Sequence, residues 1–201
     1  MGIKEDQKQQ AVQALHSVQA QLNPHFIFNA LTSIQGLVNR GDTDGANQYL
    51  SAFSILMRNT LTDHDRLMGP LEQELQAMET YLSLEQLRFH FQFSVVSEPG
   101  LTNLEIPRLL LQPVVENAVK HGVSSLREQG VIRITAAARE SDLLISIRDN
   151  GPGLQGNGGN GYGLRLTADR IHLLNQLYPA TPIALESAGT TFTFIFNKWL
   201  A

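Results

Sequence analysis

Hydrophobic positions in the first ninety residues recur at the spacing of an α-helix. They form a single stripe made of Val12, Leu15, Leu22, Phe26, Ala30 and Leu37. The segment 41–45 interrupts this stripe, and its Asp and Thr residues can cap a second helix from Ala46 to Leu61. Pro70 suits the start of a third helix, which runs to Arg88. Amphipathic helices of this length usually bury their stripes in a bundle, often a dimeric one.

The pattern changes after Phe89 to short alternating segments around two helices. The predicted elements are strand 91–95, helix 106–121, strands 131–134 and 143–147, helix 164–177, and strands 183–186 and 190–196. The sequence therefore predicts an α+β protein. Residues 1–90 form a helical domain, and residues 91–201 form a mixed α/β domain.

Composition excludes several classes of protein. The chain has 201 residues, of which 42% are hydrophobic, and its net charge is −4. A mildly acidic chain lacks the charge signature of a non-specific nucleic-acid binder, so no direct nucleic-acid partner is expected. The absence of cysteine excludes disulfides, thiolate metal sites and cysteine nucleophiles. No apolar run approaches the roughly eighteen residues of a membrane span, which predicts a soluble cytoplasmic piece.

The segment after Asp149 has the composition of a ligand-binding loop. Seven of the sixteen glycines lie between Gly151 and Gly163. Glycine lets backbone amides approach a ligand closely, and the helix that follows offers free N–H groups to phosphate oxygens. Asp149 can accept a hydrogen bond from an exocyclic amine such as that of adenine. A flexible surface loop is the alternative interpretation of the same glycines.

Two further segments carry candidate chemistry. Asn117, Lys120 and His121 share one helix face, where an amide oxygen suits Mg²⁺ and a lysine suits phosphate. A solvated polar face that ends at a glycine cap is the alternative. In the first helix, His25 lies on the flank of the hydrophobic stripe, reachable from outside. Neutral imidazole is a good nucleophile toward a phosphoryl group, although a plain surface histidine fits the same pattern.

In this order, the three segments resemble the cytoplasmic kinase part of the LytS-type sensor histidine kinases. The resemblance rests on Asn23–Asn29 (NPHFIFN), on Pro107 with Gln112–Gly122 (QPVVENAVKHG), and on Asp149–Gly153 (DNGPG). It extends over nearly the whole chain from about residue 20. It implies a helical dimerisation and phosphotransfer domain, followed by an ATP-binding domain of the Bergerat (GHKL) type, which is a two-layer α/β sandwich.

The resemblance also implies roles for single residues. His25 resembles the autophosphorylated histidine, Asn117 the asparagine that ligates Mg²⁺, and Asp149 the aspartate that reads adenine. The residues implied to hold the nucleotide are Asn117, Lys120, His121, Asp149, Gly151, Gly153, Gly161, Gly163, Leu164 and Thr190. Gly161 and Gly163 correspond to the hinge of a lid over the nucleotide.

Some positions depart from the commonest histidine kinases. Phe26 follows His25, where those proteins usually have an acidic residue that acts as the base. Glu116 is a candidate base by residue type only. Pro113 replaces the first asparagine of the usual Asn-rich helix. Asn29 lies one turn beyond His25, and we hypothesise that it orients water for dephosphorylation of a response regulator.

The function that the resemblance implies is MgATP-dependent autophosphorylation of His25 and transfer of the phosphoryl group to an aspartate of a response-regulator receiver domain. It also implies a homodimer, and a parent protein with an upstream membrane or sensor portion. Two alternatives remain open. One is a GHKL ATPase in which His25 is structural, and the other is a non-catalytic dimerising adaptor.

Overall fold

A hairpin of two helices begins the part of the chain that the computed structural model describes, which comprises residues 23–61, 66–153 and 162–200. Helix α1 (Asn23–Asn39) and helix α2 (Thr43–Leu61) pack against each other and bury Ala30, Leu37 and Tyr49. Asp42 Oδ1 accepts a hydrogen bond from Gly45 N at 2.9 Å, so α2 begins earlier than the hydrophobic pattern predicts. The two predicted helices are present.

A two-stranded sheet follows, and its two strands come before and after the third helix along the chain. Strand β1 (Met68–Pro70) pairs in antiparallel fashion with β3 (Glu105–Pro107), and helix α3 (Leu71–Phe89) lies between them in the chain. The predicted helix over 106–121 is therefore wrong in its first part. Leu109 has a left-handed φ of 56°, which no α-helix accommodates, and the helix begins only at Gln112.

The helix after this turn changes its winding in the middle. Helix α4 (Gln112–Asn117) has a proline in its first turn and continues directly into a wider π-helical turn (Ala118–Val123). Ser124 N donates to Val119 O at 2.9 Å, which is the i→i−5 bond of a π-helix. The alternative interpretation of Gly122 as a glycine cap does not hold, because the winding continues through it to Val123. A short 3₁₀ turn (Arg127–Gln129) follows.

A five-stranded sheet forms the second half of the described chain. Its strands are β2 (Gln92–Ser97), β4 (Val131–Arg139), β5 (Asp142–Asp149), β6 (Ile183–Ala188) and β7 (Thr191–Phe196), in the spatial order β2-β4-β5-β7-β6. Only the β2–β4 pair is parallel. Alternate positions are buried on one face, among them Ile134, Ile145 and Phe194. The helices, including α5 (Tyr162–Leu177), cover that face and complete the expected two-layer α/β sandwich.

Helix α3 contacts both halves of the molecule. It packs against α2 on one side and against β1, β2 and the π-helical turn on the other, so the buried side chains form one continuous core. It ends at Phe89, where His90 adopts a left-handed conformation and donates its N–H to Gln86 O at 2.8 Å. The domain boundary near residue 90 stays a prediction.

Two buried carboxyl groups make the stability of this fold depend on pH. Burial raises the pKa of Glu74 on α3 to about 7, and burial also raises the pKa of Glu116 on α4 to about 7. A carboxyl group whose pKa is higher in the folded state stabilises the fold while it is protonated. This contribution is fully present below the unfolded pKa of about 4.5 and is lost as the pH rises to about 7.

We expect the free energy of unfolding to fall between about pH 4.5 and 7, and the Glu74→Gln variant to have a smaller fall. The amide does not titrate and still offers an acceptor oxygen. Urea unfolding at several pH values measures the slope. Glu72→Gln, an exposed neighbour on α3, is the control and should keep the wild-type slope. A wild-type slope in Glu74→Gln would show that Glu74 does not titrate in this range.

Candidate functional site

One pocket brings together residues from three distant segments of the chain. It lies at the end of β5 beside the π-helical turn. The residues that line it are Asn117, His121, Gly122, Asp149, Gly153, Gly189, Thr190 and Phe192. Five of these were predicted from the sequence, namely Asn117, His121, Asp149, Gly153 and Thr190.

Asp149 is fixed in the wall of this pocket by neighbouring backbone groups. Its side chain is buried, and its Oδ1 accepts a hydrogen bond from Gly151 N at 2.8 Å. Burial raises the pKa of Asp149, and the Gly151 N–H opposes this by stabilising the charged form. Thr190 Oγ1 donates to Asp149 O, which ties the ends of β5 and β7 together. A carboxylate has several acceptor positions, so acceptors remain for the exocyclic amine of a base.

The pocket exists because the π-helical turn and the end of β5 approach without side chains between them. A Cβ on Gly122 would lie 2.6 Å from Asp149 Oδ1, and a Cβ on Gly151 would lie 2.5 Å from Gly122 Cα. Both positions therefore require glycine. Gly153 has a φ of 76°, a left-handed conformation that glycine adopts without strain. Gly151 and Gly153 were predicted from the sequence, whereas Gly122 was considered only as a helix cap in the alternative interpretation.

The polar residues of α4 and the π-helical turn point in different directions. Asn117 and His121 line the pocket, whereas Lys120 is exposed beside it. Glu116 does not line the pocket, because its Oε1 accepts a hydrogen bond from Gln112 Nε2 at 2.8 Å. Its pKa is raised first by burial and further by Glu85 on α3. The structure therefore does not bring Glu116 together with the other predicted site residues.

The start of α5 lies against α4. A Cβ on Gly163 would be 3.5 Å from Pro113 Cβ, and Leu164 is buried in the core. Pro113 thus provides the surface on which α5 begins, a role that the sequence analysis missed. Gly161 lies outside the described residues. His25 and Asn29 belong to α1, and their side chains are also outside the described part of the structure.

Phe192 and Gly189 complete the wall of the pocket at β7. Phe192 is buried and belongs to the alternating inward set of that strand, which is the sequence signal that could have identified it. Gly189 has a φ of 61° in the turn between β6 and β7, next to Thr190. This turn brings Thr190 into contact with Asp149.

A helical hairpin followed by a two-layer sandwich, with an Asn-bearing helix facing an Asp-x-Gly-x-Gly turn, defines a GHKL-type ATP-binding protein with a helical domain ahead of it. Residues 13–93 match the family described as "Histidine kinase". Residues 103–199 match the family described as "Histidine kinase-, DNA gyrase B-, and HSP90-like ATPase". The chain belongs to the sensor histidine kinases of the LytS type, and its second half is an ATP-binding domain.

Named relatives agree with this assignment. The chain is 35% identical over 142 residues to the sensor protein LytS of Enterococcus faecalis. This match covers 70% of this chain and 24% of that protein. It is 33% identical over 166 residues to the sensor histidine kinase BtsS of Escherichia coli, which covers 81% of this chain and 29% of that protein. The chain thus spans about a quarter of the length of the curated relatives it matches.

A solved structure has the same fold over nearly all of the chain. The blue-light activated histidine kinase EL346 of Erythrobacter litoralis superposes with a TM-score of 0.51 at 18% identity, covering 93% of this chain and 59% of that one.

Within residues 23–61, 66–153 and 162–200, no helix combines the length and the apolar content that a membrane span requires.

We expect Gly122→Ala to weaken the binding of a fluorescent ADP analogue at least tenfold, because the added methyl group displaces the Asp149 carboxylate. Equilibrium fluorescence titration measures the dissociation constant. Gly36→Ala in the middle of α1 is the matched control. Its Cβ meets only Arg40 Nη1 at 3.7 Å, so the affinity should stay unchanged while the helix gains about 1 kcal/mol. Unchanged affinity in Gly122→Ala would contradict the close approach of Gly122 to Asp149.

Proposed function

We propose that this chain is the kinase part of a two-component sensor histidine kinase, which transfers the terminal phosphoryl group of MgATP to His25. The observation that carries the proposal is the convergence of Asn117, His121, Asp149 and Thr190 on one pocket walled by glycine. A carboxylate at one end and an amide with an imidazole at the other match the base and the phosphates of a nucleotide.

The residues present fit both ATP and Mg²⁺. Gly122 packs directly against Asp149 and Gly151, which fixes the Asp149 carboxylate in the pocket wall, where it can accept a hydrogen bond from a base. Asn117 offers one side-chain oxygen, and Mg²⁺ commonly takes its other ligands from substrate phosphates and water. When bound, the ion would offset negative charge on the phosphates. Lys120 is exposed beside the pocket and can reach a phosphate from the solvent side.

The contribution of the chain to catalysis is mainly positioning. The pocket holds the nucleotide, and His25 of the same or the partner subunit attacks the γ-phosphorus. The N–P bond forms as the bond to the bridging oxygen of ADP breaks, and the imidazole proton passes to a base. Glu116 is our candidate base, because a carboxyl group with a pKa of about 7 is suited to accepting a proton near neutral pH. Its side chain would first have to leave Gln112.

The later steps involve a second protein. The phosphoryl group on His25 would pass to an aspartate in the receiver domain of a response regulator, and Asn29 would orient water for its later hydrolysis. Both residues lie on α1 one turn apart, which places them on the same side of the helix. We also propose that the parent protein carries an upstream sensor or membrane portion, with this part in the cytoplasm.

We expect incubation with γ-labelled MgATP to give an acid-labile, alkali-stable label that disappears in His25→Gln. Asn117→Ala should label at least a hundredfold more slowly, because the metal would lose the amide oxygen that we propose as its ligand. His172→Gln, an exposed histidine on α5, is the control and should label like the wild type. Phosphate release without a label would favour the ATPase alternative, and nucleotide binding without turnover would favour the adaptor.

A homodimer is supported by an apolar face on α1. Phe28, Leu31 and Val38 are 69%, 52% and 58% exposed, and their spacing places them on one side of the helix. The opposite side, with Ala30 and Leu37, packs inside the hairpin. Apolar side chains exposed along a helix in this way mark an interaction surface, and we propose that a second copy of α1 covers it.

We expect Leu31→Lys to raise the dissociation constant of the dimer at least tenfold, because the charge would be buried against the partner helix. Size-exclusion chromatography with light scattering at several concentrations measures the mass. Gln48→Lys, an exposed polar position on α2, should dimerise like the wild type. A monomeric wild type, or a Leu31→Lys variant that dimerises equally well, would contradict this interface.

A further inference from the structure

Two buried ionisable side chains form hydrogen bonds with the two polar atoms of a single peptide group just before α4. Glu74 Oε2, on α3, accepts a hydrogen bond from Leu109 N at 2.8 Å. Arg170 Nη2, on α5, donates a hydrogen bond to Arg108 O. The amide N–H and the carbonyl oxygen of the Arg108–Leu109 peptide are thus held by an acid and a base that come from two different helices. We name these two side chains and this peptide the peptide clamp.

The clamped peptide leads into a residue with an unfavourable backbone. Leu109 has a φ of 56°, a conformation that side chains with a Cβ rarely adopt. Such a conformation persists only where its surroundings hold it in place. Arg108 contributes a further support, because its N–H donates to Leu67 O at 3.0 Å and its side chain packs over Gly69. Three residues after Leu109, α4 begins and carries Asn117 toward the pocket.

This arrangement carries a desolvation cost. Glu74 is 3% exposed and Arg170 is 2% exposed, and desolvation of both groups is costly. Burial lowers the pKa of Arg170 to about 10, in spite of nearby Glu74. Arg170 Nε and Nη1 are buried and have no hydrogen-bond partner among the described residues. Apolar side chains of similar size would avoid this desolvation but would leave Leu109 N–H and Arg108 O without these two hydrogen bonds.

The position of the clamp connects it to both sides of the nucleotide pocket. The peptide it holds leads directly into α4 and so sets where Asn117 lies. Arg170 sits on α5, whose first turn packs against Pro113 of α4 and follows the glycine-rich segment. A shift of the clamped peptide would therefore move the start of α4 and the start of α5 relative to Asp149.

We propose that Glu74 and Arg170 are positioning residues for nucleotide binding, which act by holding the Arg108–Leu109 peptide. Neither residue lines the pocket, so their effect passes through the placement of α4 and α5. The proposal rests on the proposed function only in taking an adenine nucleotide as the ligand. It adds two residues to those that the resemblance implies.

The experiment compares the dissociation constant of a fluorescent ADP analogue with the midpoint of urea unfolding in the same variants. Glu74→Ala and Arg170→Met should each weaken nucleotide binding roughly tenfold, the effect of one lost charge-assisted hydrogen bond. Glu74→Gln and Arg170→Lys keep an acceptor or a donor for the clamped peptide and should recover most of the affinity. The unfolding midpoint of Arg170→Met should fall, because Arg108 O loses its donor and Glu74 loses a nearby positive charge, so the nucleotide titration is made in folding conditions well below that midpoint.

The matched controls are Glu72→Gln on α3 and Arg139→Met at the end of β4, both exposed positions that should bind like the wild type. The amide proton of Leu109 gives a direct readout by NMR. In Glu74→Ala, its resonance should move upfield, and the proton should exchange faster with solvent. In Glu72→Gln, both the chemical shift and the exchange rate should stay at their wild-type values. The combination Glu74→Ala with Arg170→Met should bind no more weakly than the weaker single variant, because both changes release the same peptide.

The outcomes separate the clamp from the proposed function. A wild-type chain that does not bind the nucleotide would refute the proposed function. A wild type that binds, with Glu74→Ala and Arg170→Met binding equally well while folded, would refute the clamp. Variants that lose stability but keep wild-type affinity would show a purely structural role. Should Arg170→Met fail to fold, the comparison of Glu74→Ala with Glu74→Gln decides the question.

Discussion

The pocket of this protein depends on the contact of one backbone with another. Gly122 in the π-helical turn lies against Gly151 after β5, and no side chain fits between them. This contact brings Asp149, which ends a strand, within reach of Asn117, which ends a helix. The sheet supplies a rigid carboxylate that backbone N–H groups and Thr190 hold in place. The helix supplies the amide and the imidazole, and its own position depends on the turn that precedes it. On the proposed function, recognition of a base and recognition of phosphates would be divided between the two layers of the fold.

Local periodicity was sufficient to predict most elements of this fold. The helices of the hairpin, α3, α5 and the strands from β4 onward follow from the spacing of their apolar residues. The predicted helix over 106–121 was wrong in its first part for a physical reason. Its apolar residues have helical spacing, but the Arg108–Leu109 peptide next to the left-handed Leu109 is held by Glu74 and Arg170, through hydrogen bonds that span 35 and 62 positions along the chain. Pairing of β3 with β1 is also a long-range contact. No local pattern contains either constraint.

Part of the candidate site could be predicted from sequence motifs, and the rest depends on contacts between distant segments. Asn117, Asp149 and Thr190 belong to motifs that the family shares, so the resemblance identified them without any geometry. Glu116 was a candidate by residue type alone, and its side chain is turned toward Gln112 instead of the pocket. Gly122 was taken for a helix end, because a glycine after basic residues is typical of one. Glycine is required at this position because a Cβ would lie 2.6 Å from Asp149 Oδ1. This contact joins two segments that are far apart in sequence.

The π-helical turn has a consequence for how this region tolerates insertions and deletions. A π-helical turn accommodates one residue more than the α-helical winding on either side of it. Removal of one residue between Ala118 and Val123 would let this segment return to α-helical winding while the residues on either side keep nearly the same facing, because the wider turn already absorbs the extra residue. A deletion that spares Gly122 would therefore leave a residue without a side chain against the end of β5. The glycine itself is under a stricter constraint than the length of this turn.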